Sequence, residues 1–387
     1  MGKIVINKEI NLFLEEFNLD KTIGRLGFGM MRLPKNGDRI DIEETKRLVD
    51  AFMISRFNYF DTAFAYPGSE EAIKEALVDR YPRKSYYLAT KCAIWSGCKC
   101  EEDAKSELDV SLERTGAGYF DFYLLHALNK NTAKTFEEWG LWEYFSKKKE
   151  EGLIKHLGFS FHDSAEVLDD ILSKHPEAEF VQLQINWADW EDPNIQSRKC
   201  WEVARKHNKS IIVMEPVKGG LLANPHPDVT KVFASSDPDS SPASWALRFA
   251  ASLDGVMTVL SGMNTLEMLG ENIKTLWNFQ GLSKDQLKVI DEAREVFNTL
   301  PSVPCTKCDY CAKVCPMNIG VSGSFASLNT ALLYDNKEKA KEQFESLVIK
   351  KGKNSPDKCI KCGKCEEACP QHISIRKNLE KAQALFS

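Results

Sequence analysis

The chain of 387 residues contains no run of about 20 apolar residues, the length a helix needs to cross a bilayer, so no membrane span is expected. Its opening, Met1-Gly2-Lys3-Ile4-Val5-Ile6-Asn7, lacks an apolar core long enough for a signal peptide, and a cytoplasmic location is expected. No Gly-x-Gly-x-x-Gly follows the first strand-like run, which counts against an open dinucleotide-binding sheet. A basic surplus is missing too: the net charge is −5, and nucleic-acid binding needs positive charge that nothing else consumes. Hydrophobic content of 43% with 28% charged residues is that of a soluble globular chain, and the length allows two or three domains.

Charge is shared unevenly. Residues 301–387 carry 14 Lys/Arg against 9 Asp/Glu, or +5, while residues 1–300 carry 37 against 47, or −10. The basic end also holds eight of the twelve cysteines, in two matching runs. Cys305, Cys308, Cys311 and Cys315 precede Pro316; Cys359, Cys362, Cys365 and Cys369 precede Pro370. Each reads C-x2-C-x2-C-x3-C-P, the bacterial spacing for a cubane iron–sulfur cluster. Three closely spaced thiolates can wrap one cluster from a single loop, while the fourth is carried away on the chain that follows. Structural zinc uses separated pairs of ligands rather than a triplet plus one, and a disulfide framework needs an oxidising compartment. Two four-thiolate clusters bring about −2 each when oxidised, which nearly cancels the local +5 and gives Lys307, Lys313, Lys358, Lys361 and Lys364 an electrostatic reason to be there.

This region resembles the dicluster module of the ferredoxin family. The resemblance implies two [4Fe–4S] clusters with crossed fourth ligands: Cys305, Cys308, Cys311 and Cys369 on one, Cys359, Cys362, Cys365 and Cys315 on the other. The 43 residues between Cys315 and Cys359 include helical patterns at 327–334 and 336–348, so a helix-rich variant is expected. Oxygen-sensitive clusters also suggest an anaerobic source.

From Gly24 to about Gly262, short apolar runs alternate with amphipathic stretches. Strand-like runs cover 26–33, 59–62, 86–91, 120–126, 155–160, 180–186, 210–216 and 256–261; helical patterns at 42–55, 70–80, 101–114 and 194–206 lie between them. Eight strands with about one helix per gap predict an α/β fold of the (β/α)8 TIM-barrel type, with an open doubly wound sheet as the alternative. A further helix is expected at 283–299, after which Pro301-Ser302-Val303-Pro304 breaks the chain. The expected domains are therefore a barrel over 1–300 and a helix-rich dicluster ferredoxin-like domain over 301–387.

Barrel chemistry sits at the C-terminal ends of the strands. Those ends supply Asp61 and Tyr66, then Lys91, then His126. Each is expensive to bury alone, and neighbouring strand ends let them satisfy one another. Phe60-Asp61-Thr62-Ala63-Phe64-Ala65-Tyr66, Ala89-Thr90-Lys91 and Leu124-Leu125-His126 resemble the Asp–Tyr–Lys–His tetrad of the aldo/keto reductase family. Leu26-Gly27-Phe28-Gly29-Met30 is similar to its opening strand and Leu157-Gly158-Phe159-Ser160 to its fifth. The resemblance implies a reaction that adds hydride to a carbonyl carbon and a proton to its oxygen, or the reverse from an alcohol. Tyr66 would be the acid, Lys91 a cation lowering the phenol's pKa, Asp61 the partner of Lys91, and His126 the group orienting the carbonyl.

The same resemblance implies cofactor positions. Gly29 and Met30 close the opening strand. Ser160 and Gln182 fit residues that hold a nicotinamide amide, with Phe161 where the family has asparagine. Met214, followed by Glu215 and Pro216, stands where a tyrosine commonly stacks on the nicotinamide. Gly262 and Met268 occupy the positions of a lysine and arginine that grip a 2′-phosphate, while Glu271 and Asn272 match the adenine-side pair. Nicotinamides move hydride and cubane clusters move single electrons, so a flavin is the usual intermediary. The cofactor is thus either NAD(P) or FMN, and Lys218-Gly219-Gly220 is either a phosphate turn or a plain one. Cys98 and Cys100 read as ordinary reduced loop cysteines, and His162 as a helix cap.

The reading is an oxidoreductase for a small carbonyl or alcohol, with clusters that relay electrons from a donor such as ferredoxin. The alternatives are an NAD(P)H-dependent carbonyl reductase braced by its clusters, and a non-enzymatic redox sensor or docking subunit.

Overall fold

The structure is a computed structural model that describes residues 23–305, 307, 309–369 and 371–386. The lead-in before residue 23, Cys308 and Pro370 lie outside the described residues.

Eight parallel strands close a barrel: β1 Leu26–Gly29, β2 Tyr59–Asp61, β3 Tyr87–Cys92, β4 Phe120–Leu128, β5 Ile154–Phe161, β6 Phe180–Gln184, β7 Ser210–Met214 and β8 Val256–Ser261. Each strand pairs with its neighbours in sequence, and β8 pairs with β1, so no edge is left exposed. Both faces of the strands are covered, so apolar residues dominate them, as Leu88, Ala89 and Cys92 do in β3 and Phe120, Phe122, Leu124 and Leu125 in β4, with Thr90, Lys91 and Asp121 as buried polar exceptions.

The helices of this part are α1 Ile42–Ile54, α2 Ser69–Ile73, α3 Glu101–Thr115, α4 Lys130–Glu138, α5 Leu141–Glu150, α6 Ala165–Lys174 and α7 Ser197–Lys206. They are followed by α8 Pro227–Ser236, α9 Pro242–Ala251, α10 Leu266–Leu276 and α11 Lys284–Thr299. Local chemistry sets their starts. The Asp41 carboxylate accepts the Glu44 amide at α1, and full capping boxes open α4 (Asn129 with Thr132) and α11 (Ser283 with Gln286).

The strand period of two decides what the barrel holds. Tyr59, Ala89, Phe122, Leu124, Phe180, Ile212 and Leu260 share one cluster inside it. Two residues further along their strands come Asp61, Lys91, His126, Gln182 and Met214, on the same inward parity. Gly158 permits the close contact of β5 with β6: a Cβ there would collide with the Phe180 carbonyl and lie 2.7 Å from the Phe180 ring.

The sequence pattern extends β1 to residue 33, but the strand stops at Gly29 and Met30–Arg32 wind into a 3-10 turn. Pro34 ends that turn, since it holds Leu33 in the extended region and prevents the turn from continuing as a helix. Strand β4 runs past His126 to Leu128, with a shift of register between Leu125 and Leu128 and a left-handed Ala127 at φ 59°. That bulge re-aims the end of the strand.

By density of internal contact the chain forms two compact units: one runs to Pro216 and resumes over Ala246–Leu282, the other is Val217–Trp245 with Ser283–Ser387. The second unit contains α8 and α11, then α12 Tyr310–Val314, α13 Val321–Tyr334, α14 Lys337–Phe344, α15 Lys364–Glu367 and α16 Ile375–Phe386. Val321, Phe325 and Leu328 of α13 and Ile375, Leu379 and Ala382 of α16 form its core with Cys311, Cys365 and Cys369. A short parallel bridge joins Ile319 to Asn354, next to the Asn354 side-chain amide that donates to the Met317 carbonyl at 2.7 Å.

Candidate functional site

At the C-terminal end of the barrel, the four side chains singled out in the sequence come together. Lys91 is fully buried, and its ammonium donates to Asp61 Oδ1 at 2.5 Å and to the Thr62 carbonyl at 2.6 Å. The other Asp61 oxygen accepts from Gln182 Nε2 at 3.0 Å. The Lys91 ammonium lies 5.1 Å from the centre of the Tyr66 ring, and the Tyr66 and His126 rings meet edge to face at 5.8 Å. Buried charge survives there because each charged atom has a partner.

The electrostatics follow from that burial. Burial opposes the Lys91 ammonium, but Asp61 and the Tyr66 phenol outweigh it and hold its pKa above the ordinary lysine value. For Tyr66 the balance goes the other way: burial raises the phenol, and the pull from Lys91 only partly offsets it. Lys91 therefore acts in the expected direction without bringing Tyr66 below the ordinary tyrosine value, because loss of water is the larger effect. The resting phenol is protonated. Burial, reinforced by Lys91 and His162, holds His126 well below the usual histidine range, so its ring is neutral. His126 Nδ1 is buried with no hydrogen-bond partner among the described residues, so no protein acceptor fixes the tautomer.

The expected cofactor positions behave less uniformly. Ser160 Oγ accepts the Ala127 amide at 2.8 Å, and Gln182 is engaged with Asp61. Met214 is half-buried, whereas Asn272 is buried and donates to Ser261 Oγ at 3.0 Å, with Glu271 exposed beside it. Gly29 and Gly262 leave the ends of β1 and β8 without side chains: a Cβ on Gly262 would sit 3.8 Å from the Gly29 carbonyl. Arg32, which sequence reasoning missed, packs its stem 3.7 Å from that same point and pairs with Glu215 at 3.6 Å. Its only sequence signal is an arginine just after the first strand. Lys218, Gly219 and Gly220 all have left-handed backbones, and the Gly220 and Leu222 amides both donate to the Val217 carbonyl. The turn thus spends two amides on itself.

His162 is not the cap of α6. Asp163 takes the Lys130 and Ser164 amides at 2.8 and 2.7 Å, while His162 lines a cavity of about 110 Å³ with Gln184, Asn194 and Cys200. Burial, with a hydrogen bond donated to Glu107 at 3.2 Å, pushes the Cys98 thiol up to about 12 and makes it a poor nucleophile.

In the other unit the cysteines surround two cavities. Cys315, Cys359, Cys362 and Cys365 line one, together with Ile319 and Arg376. Cys305, Cys311 and Cys369 line the second, with Asp309, Phe325 and Gln371. The second triplet therefore shares its cavity with Cys315, and Cys305 and Cys311 share theirs with Cys369; Cys308 lies outside the described residues. Among the described residues no three His, Cys, Asp or Glu side chains converge closely enough for a single metal ion. Thiols spread around a cavity suit a group of several atoms, and the donor set fits the two clusters implied by the spacing.

Comparison with known proteins agrees with both halves. The model of the Aldo/keto reductase family matches residues 25–295, and that of the 4Fe-4S dicluster domain matches 304–374. An aldo-keto reductase of Mycolicibacterium vanbaalenii is 29% identical over 278 residues, covering 71% of this chain and 89% of the other. An uncharacterized oxidoreductase of Schizosaccharomyces pombe is 27% identical over 271 residues, covering 66% and 82%. Among solved structures, the holo form of a Bacillus halodurans aldo-keto reductase superposes with a TM-score of 0.57 at 23% identity, covering 72% of this chain and 95% of that one. A Klebsiella pneumoniae aldo-keto reductase in complex with NADPH gives 0.56 at 20%, covering 70% and 90%. With the family model spanning the whole barrel and the dicluster model the cysteine runs, the chain belongs to the aldo/keto reductase family and is an oxidoreductase that carries a 4Fe-4S dicluster domain.

Proposed function

We propose that this protein interconverts a small-molecule carbonyl and its alcohol at the barrel mouth, with electrons exchanged through two [4Fe–4S] clusters on the eight C-terminal cysteines. The observation that carries the reading is the fully buried Lys91 held between Asp61 and the Tyr66 phenol. A structural barrel has no use for a buried ammonium beside a protonated phenol, whereas carbonyl reduction needs that proton source.

Tyr66 delivers its proton to the substrate oxygen as negative charge develops there. Lys91 stabilises the phenolate left behind, Asp61 keeps Lys91 charged and in place, and neutral His126 hydrogen-bonds the oxygen and orients it. A nicotinamide or flavin bound in the mouth would supply the hydride. Ser160, Gln182 and Met214 would face its ring. The glycine notch of Gly29 and Gly262 would admit its phosphates beside Arg32, and the NADPH carried by the Klebsiella pneumoniae relative supports the nicotinamide. Through a flavin, which takes electrons singly and gives them up as hydride, two clusters passing one electron each would match the two electrons of one carbonyl, with a carrier such as ferredoxin as their donor; a nicotinamide would supply its hydride without them.

A second reading has its own observation. Cys311, Cys365 and Cys369 belong to the hydrophobic core of their unit, as they would if the clusters brace the fold. The deciding experiment compares NAD(P)H with a reduced one-electron carrier as the donor for anaerobically purified protein. Turnover that needs the carrier, and that Cys311→Ser abolishes before the fold melts, supports the relay. Full NAD(P)H activity in the folded fraction of the same variant would leave the clusters as braces.

A further inference from the structure

The two cysteine cavities differ in what else lines them. Beside Cys315, Cys359, Cys362 and Cys365 stands Arg376, whose guanidinium and amide are pinned by Glu366 at 2.7 to 2.9 Å. Cys365 and Cys359 lie close enough for Arg376 to feel their charge. In the same cavity the Ile319 amide donates to Cys315 Sγ at 3.4 Å, and Cys362 is open to solvent. The cavity of Cys305, Cys311 and Cys369 instead contains Asp309, with Ser322 and Gln371, and both Cys311 and Cys369 are buried.

Reduction adds one electron to a cluster and neither makes nor breaks a bond, so its free energy follows the local potential. Three levers set that potential: net charge nearby, hydrogen bonds to the sulfurs and exposure to water. A cation, an amide on a thiolate and water all favour the more negative reduced form. A carboxylate and burial disfavour it. In the first cavity the amide on Cys315, the exposure of Cys362 and Arg376, offset in part by its partner Glu366, point to easier reduction although Cys365 is buried, and in the second Asp309 points the other way.

Resting on the cluster reading above, we infer that the two clusters are inequivalent. The one held by Cys315, Cys359, Cys362 and Cys365 has the higher reduction potential, set by Arg376. The one held by Cys305, Cys308, Cys311 and Cys369 has the lower, set by Asp309. Electrons entering at the second run downhill to the first. Arg376 and Asp309 are tuning residues that touch neither substrate nor thiolate chemistry.

The test is a redox titration of the full anaerobically purified chain with dithionite and mediators, followed by electron paramagnetic resonance, with iron measured on every sample. Wild type should show two resolved one-electron steps. Arg376→Gln should move the upper step to lower potential and leave the lower one in place, and Arg376→Lys should return it most of the way. Asp309→Asn should move only the lower step, upward. About eight irons per chain with both steps unmoved by either variant would overturn the inference and leave the clusters standing. An iron content far below that would remove the clusters themselves, and the inference with them.

Discussion

The buried pair of Lys91 and Asp61 makes the tetrad fragile in a specific way. Asp61→Asn leaves an ammonium buried without its counter-charge, and a loss of about 3–5 kcal/mol is expected in chemical denaturation. Asp61→Asn combined with Lys91→Met should recover most of that stability, whereas equal losses in both proteins would show that the charge was never the issue. Tyr66→Phe should lower carbonyl turnover by about 10²-fold or more while leaving the folded protein intact, because only the proton donor is removed. His126 adds a pH dependence. Its folded pKa lies below the unfolded value near 6.5, so the unfolded chain binds the extra proton first. Stability should therefore fall as the pH drops below about 6.5, by up to about 1.4 kcal/mol per pH unit, and His126→Gln should flatten that slope in pH-dependent melts. The tetrad was legible from sequence because strand parity and strand ends are local properties. The bond from Gln182 to Asp61 spans 121 residues, and the Arg32–Glu215 pair joins the turn after β1 to the loop after β7; no local pattern carries either.

Elements show the same division between what a pattern encodes and what packing adds. Eight strands and their order could be counted from apolar runs, since burial on both faces leaves a continuous hydrophobic signature. The bulge after His126 could not, because Ala127 gives no hint that its backbone turns left-handed. Two glycines test how far element packing matters. Gly158→Ala forces β5 away from Phe180 of β6 and should cost about 1–3 kcal/mol, read as a lower melting temperature. Gly270 sits within α10 with nothing within 4 Å of an added Cβ, so Gly270→Ala should stabilise by about 0.5–1 kcal/mol. If both substitutions shifted the melting temperature the same way, the steric reading of Gly158 would fail.

At the scale of the molecule, the sequence suggests a division near residue 300, where two prolines interrupt the chain. The two family matches end at 295 and begin at 304, while by compactness the chain divides at 216/217, 245/246 and 282/283, because α8 packs with α11, and Phe297 of α11 meets the Tyr334 ring at 5.5 Å. A linear reading had no means of assigning 217–245, which precedes β8 in the chain, to the unit of the cysteines. A chain ended at residue 300 should consequently expose Phe297 and lose cooperativity in its thermal unfolding; a sharp, unchanged transition would contradict this. The crossed cavities have a consequence for biosynthesis. A nascent chain that has reached residue 358 presents the whole first run of cysteines, yet Cys315 faces the place of a triplet not yet made, and Cys369, needed by the first triplet, comes last. On the cluster reading neither site has its full set of thiols until the second run has been made, Cys365 completing one and Cys369 the other, so loading should follow synthesis of both runs.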